Sequence, residues 1–162
     1  MDDSFGRGIQ HLSENQKPRA VYNAVVDDLE DEDLKPPTRE ELFPLIRECL
    51  RLSKGRTFKC TVRPKVEFKI EAPLIWDDGM TARLDLDPED FEPIGTDVAR
   101  EAVKKAAKEL RAFNRDIAQL EKKCAKLDRK YEVDSLPEEK RIFSLICDTV
   151  FFDWATPAKR WY

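Results

Sequence analysis

Between Ala99 and Tyr131 the apolar residues Ala99, Val103, Ala106, Leu110, Phe113, Ile117, Leu120, Cys124, Leu127 and Tyr131 recur at alternating intervals of four and three. This is an unbroken heptad repeat, and it specifies one long helix with a narrow apolar seam. Thr96 supplies a cap, so the spacing predicts a helix over about 96–131, about 54 Å long at 1.5 Å per residue. A compact domain of 162 residues does not span that length. The helix is expected either to project from its domain or to pack along something.

Two partners for the seam follow: the chain's own sheet and last helix, or a second helix. With Val103, Leu110, Ile117 and Cys124 at a positions, the g positions are Glu109, Asp116, Lys123 and Lys130. A parallel homodimer would set Asp116 against Glu121, whereas an antiparallel one matches Glu109 with Lys130 and Asp116 with Lys123. The chain is therefore expected to self-associate through this helix, as a homodimer in an antiparallel coiled coil. Its interface candidates are Val103, Leu110, Phe113, Ile117, Leu120, Leu127 and Tyr131, joined by the tail aromatics Trp161 and Tyr162.

The opposite side of the same helix is basic. Lys108, Arg115, Lys122 and Arg129 occupy successive f positions, about 10.5 Å apart, and residues 96–131 hold 11 bases against 6 acids. A solvated coiled-coil exterior has this composition, and so does a ridge that follows phosphates.

Upstream, residues 57–72 ("TFKCTVRPKVEFKIEA") alternate apolar and polar without a break. Pro64 cannot donate to a central ladder, and one strand of that length would be about three times the usual. Two strands joined at Arg63, Pro64 and Lys65 keep the apolar faces together, pairing Cys60 with Phe68 and Phe58 with Ile70. The "DDG" at Asp77–Gly79 predicts a second hairpin with a three-residue loop, pairing Trp76 with Met80 and Leu74 with Ala82. The sheet is thus expected to be a three-stranded antiparallel meander. Lys59, Arg63, Lys65 and Lys69 make its polar face a weaker nucleic-acid candidate.

Thr38 with Glu41 forms a capping box for a helix that ends near Gly55, with Pro44 expected to kink or restart it. Val21, Val25 and Leu29 after Pro18 favour a further short helix. Ser135 with Glu138 reads as the start of a C-terminal helix over about 136–154, apolar nearly all round and hence buried. The expected class is α+β: a meander flanked by helices, one long heptad-patterned helix, and a buried C-terminal helix. The first 37 residues carry 9 acids and 4 bases within a chain of net charge −4. They are expected to form an acidic, partly disordered extension to a single domain spanning 38–162.

Cys49, Cys60, Cys124 and Cys147 are far apart, lack zinc-site spacing, and read as buried reduced thiols. No run approaches a membrane span, and the acidic start does not fit a secretion signal, so a cytoplasmic, reducing location without membrane contact is expected. For catalysis the signals are thin. Glu67-x-Lys69 has the strand spacing of a metal-dependent nuclease, but no aspartate lies between Asp33 and Asp77. Asp85 and Asp87 could hold magnesium, yet alternating surface acids are far commoner. No glycine cluster cradles a phosphate, and the lone His11 lies in the leader. No cofactor, metal or catalytic residue is therefore assigned. The expected function is that of a non-catalytic regulator or inhibitor of a larger protein partner, the alternative being a nucleic-acid-binding accessory protein.

Overall fold

The computed structural model describes residues 9, 11–60, 66–76, 79–85 and 96–151. Within them the chain is α+β, with helices α1 (Lys17–Asp31) and α2 (Arg39–Ser53), strands β1 (Arg56–Cys60), β2 (Val66–Trp76) and β3 (Gly79–Asp85), and helices α3 (Thr96–Lys130) and α4 (Ile142–Val150). It divides into two compact units, one of Met1–Arg51 with Gln119–Tyr162 and the other of Leu52–Ala118. Helix α3 contributes to both.

The first unit is helical. Pro18 falls in the first turn of α1, where its missing amide has no partner to lose. One stripe of α1, formed by Val21, Val25 and Leu29, is fully buried, and α1 packs against α4. The part of the expected N-terminal extension after residue 16 is thus helical and supplies core, because its apolar stripe is intact despite the acids around it. Asp33 closes α1 in the left-handed region at φ 60, with the Leu34 amide donating to the Leu29 carbonyl at 3.1 Å.

The capping box at α2 is formed as expected. The Thr38 amide donates to Glu41 Oε1 at 3.0 Å and the Glu41 amide to Thr38 Oγ1 at 3.3 Å. Pro44 does not interrupt α2. It lies on the exposed side, as does Glu40 four residues earlier, so the carbonyl it leaves without a donor is on the solvent side. Glu41 also accepts from Tyr131 OH and, at 2.5 Å, from Lys130 Nζ. These contacts hold its carboxyl down at about 2, the Lys130 hydrogen bond having the largest effect.

The C-terminal helix begins later than its sequence suggests. After α3, Glu132 turns the chain at φ 62, and two 3-10 turns, Val133–Ser135 and Glu138–Lys140, precede α4. Ser135 does not cap: its hydroxyl donates to the Glu132 carbonyl at 2.7 Å. The cap comes from α3 instead, where Asp128 Oδ1 accepts the Ile142 amide at 3.1 Å. Asp128 is 6% exposed, and burial raises its carboxyl above the ordinary value of 3.8 against the lowering effects of the Ile142 amide and Arg141.

Those facts give a paired prediction. Asp128→Ala strips the cap and lowers stability by about 1–2 kcal/mol. Asp128→Asn keeps the acceptor and avoids the buried charge, so at neutral pH it unfolds at a denaturant concentration equal to or above that of the parent. A carboxyl raised on folding makes the parent lose stability as pH climbs from about 3.8 through the folded value. The Asn variant lacks that component, which urea titrations at several pH values read directly. Equal losses for Ala and Asn would refute the capping role.

The second unit contains the sheet, ordered β1-β2-β3 and antiparallel throughout. Parity across the first hairpin is as expected, but the pairs are displaced by two: Phe58 faces Phe68, Cys60 faces Val66 and Arg56 faces Ile70. Phe58 and Phe68 stack with centroids 5.5 Å apart. The loop expected at Arg63–Lys65 lies outside the described residues. In the second hairpin Trp76 pairs with Gly79 rather than Met80, so the connection is two residues and not three.

A bulge restores the apolar face that such a connection would invert. Between the pairs Glu71↔Arg83 and Leu74↔Thr81, Ala72 and Pro73 on β2 oppose Ala82 alone. Pro73 has no amide to place in the ladder, which makes this the cheap position for the irregularity. The Ala82 amide, opposite the bulge, donates to Asn114 Oδ1 of α3 at 3.0 Å.

Candidate functional site

The heptad seam is buried within the single chain. Ala106, Phe113, Ile117, Leu120 and Cys124 are all at or below 3% exposure, and Leu110, Leu127 and Tyr131 are half-buried. No second copy is needed to take these side chains out of water. Two of the four charges expected to cross an antiparallel dimer are paired within the chain: Glu109 with Arg56 at 3.0 Å, and Lys130 with Glu41 at 2.5 Å. Of the interface candidates, Val103 is open, at 42% exposure. Trp161 and Tyr162 lie outside the described residues.

The other side of α3 is different. At 100° per residue, every base between Lys104 and Lys130 projects within about 60° of the Lys108 direction. That arc holds ten bases, with Ala112 and Gln119 the remaining occupants, and all ten bases are exposed. The four acids of the same span, Glu109, Asp116, Glu121 and Asp128, all lie outside it. The basic face is thus about 39 Å long and free of acids.

Three of the ten are engaged: Lys104 with Glu101 at 3.9 Å, Lys130 with Glu41, and Lys105, whose Nζ donates to the Lys59 carbonyl at 3.4 Å. The other seven, including Lys108, Arg111, Arg115, Lys122 and Arg129, form no ion pair among the described residues. The f-position ridge read from the sequence is therefore one row of a wider face. Counting only every seventh residue missed Arg111, Lys123 and Lys126, which a projection of the whole helix includes.

The sheet candidates are weaker. Lys59 pairs with Glu67 at 3.3 Å, which occupies both the basic candidate and the carboxylate of the nuclease-like pair. Lys69 is exposed and faces Thr57 and Asp85 in register. Arg83 and Glu71 pair at 2.7 Å. Arg63, Lys65 and Asp87 lie outside the described residues.

In the helical unit Cys49, Cys124 and Cys147 are buried free thiols, and Cys147 is hydrogen-bonded with Cys49. Burial pushes the Cys124 and Cys147 thiols up, so they remain protonated and poorly nucleophilic. Among the described residues no group of three or more His, Cys, Asp or Glu is arranged to hold a metal ion. No helix there is long and apolar enough to cross a membrane. No family model matches the chain, and no curated protein or solved structure is significantly similar to it.

Proposed function

We propose that this chain is a non-catalytic nucleic-acid-binding accessory protein whose contact face is the outer side of α3. One observation carries the reading: ten exposed bases on one side of one helix, in an arc into which no acid between Lys104 and Lys130 projects. Seven have no ion-pair partner among the described residues. Cations so placed neutralise phosphates, and release of the counterions condensed on the nucleic acid drives association. The chain as a whole is net −4, so attraction to this face orients the complex.

The test is anisotropy of labelled, mixed-sequence nucleic acid titrated with the full chain at about 50 and about 200 mM salt. If all seven free cations engage duplex phosphates, log affinity falls with log salt at a slope of about −6. Absence of binding at the lower salt, or binding indifferent to salt, would end this proposal.

A second reading is a regulator or inhibitor of a larger protein partner. It is favoured by Asp27, Glu30, Asp31 and Asp33, which are exposed and give the chain an acidic surface as well as a basic one. Opposed charges on one molecule suit the selection of a complementary protein surface. Retention of one stoichiometric host protein, lost when these acids are changed to Asn and Gln, would support it.

A further inference from the structure

We propose that the basic face of α3 takes double-helical nucleic acid by its phosphate backbone, with little reading of base sequence. This rests on the nucleic-acid reading above and adds which form is bound and how.

The first argument is what the face lacks. Proteins that hold single strands combine cations with aromatic side chains on which unpaired bases stack. The arc from Lys104 to Lys130 contains no aromatic residue. Helix α3 does carry Phe113, but that ring is 3% exposed on the opposite stripe. Tyr131, just past the helix, donates its hydroxyl to Glu41. The basic face therefore offers no aromatic stacking platform.

The second argument is geometric. Helix α3 is one continuous element, so its cations stand at intervals set by the backbone, with the f-position row repeating about every 10.5 Å. A regular array of this kind matches a regular charge lattice better than a flexible strand, and a duplex presents one charge per about 1.7 Å of axis.

The third argument concerns sequence. Phosphate contacts position a protein and carry no base information. Gln119 is the one uncharged hydrogen-bonding side chain in the arc. Small Ala112 lets phosphates approach without adding a base contact.

The experiment compares a duplex, its two separated strands and polyglutamate by competition anisotropy with the full chain, in parallel with Arg115→Glu/Lys122→Glu. Both sites are exposed, and circular dichroism verifies folding. The milder Arg115→Gln/Lys122→Gln pair tests the same loss without inserting acids. The duplex is expected to bind roughly tenfold tighter than either strand, with similar affinity for unrelated duplex sequences. Each double variant should make the salt slope shallower by about 2.

Strands that bind as well as the duplex, with both weakened by the variants, would leave nucleic-acid binding standing and overturn the duplex assignment. A duplex affinity untouched by both variants would remove α3 as the face. Polyglutamate displacing the duplex at equal charge would overturn the nucleic-acid reading itself in favour of an acidic protein.

Discussion

Phe113→Ala lowers the free energy of unfolding by about 3–5 kcal/mol, and the loss is the same at every protein concentration. The ring is 3% exposed on the inner stripe of α3, so truncation opens a cavity within one chain. Chemical denaturation over a wide concentration range measures this directly. Were the seam between two copies, the midpoint would move with concentration, because dimer stability depends on protomer concentration. A concentration-dependent midpoint therefore overturns the intrachain assignment of the heptad stripe.

Gly55→Ala is expected to be the second most damaging single change. Gly55 follows α2 at φ +62, a region where a side chain costs about 1–2 kcal/mol. An added Cβ would also stand 2.3 Å from the Ile70 carbonyl oxygen and 3.1 Å from the Ala72 nitrogen. Both neighbours are backbone of β2 and cannot rotate aside, so the sheet must shift and the loss exceeds the conformational part alone. Lys35→Ala, at an exposed position between α1 and α2, should stay within about 0.5 kcal/mol of the parent. A Gly55→Ala chain as stable as the Lys35→Ala control would refute the close approach.

What the sequence disclosed divides along the range of the interactions responsible. The Thr38/Glu41 box and the extent of α3 were legible because caps and heptads are local. Alternation in β1 and β2 revealed which residues share a face, since side chains in a strand alternate every residue. It did not reveal that Phe58 faces Phe68 rather than Ile70, because a shift of two leaves the faces unchanged. The second hairpin misled for a related reason: the bulge at Ala72 and Pro73 absorbs the odd residue that the parity argument assigned to the turn. Ser135 and Glu138 have the spacing of a cap, but Asp128 on another helix supplies it. That substitution depends on the fold and leaves no local pattern.

The candidate site followed the same rule. Lys108, Arg115, Lys122 and Arg129 were legible as a row, because helical periodicity alone aligns them. That their seven-residue line is part of an acid-free arc was also in the sequence, given a wider angular window. Which cations stay unpaired was not. Glu41 and Lys130 are far apart in the chain, and their 2.5 Å contact exists only in the folded state. The same holds for the seam, whose heptads announce an apolar stripe without saying whose surface covers it.

Glu41 serves two helix ends at once, taking the amide at the start of α2 and the side chains of Lys130 and Tyr131 at the end of α3. Helix termini ordinarily fray separately, each as its own low-energy local opening. Here one carboxylate couples the two openings, since opening the start of α2 takes the acceptor from Lys130 and Tyr131, and opening the end of α3 takes two donors from Glu41. The consequence is kinetic as well as thermodynamic: proton exchange at these termini becomes cooperative, and acid that neutralises Glu41 loosens both together.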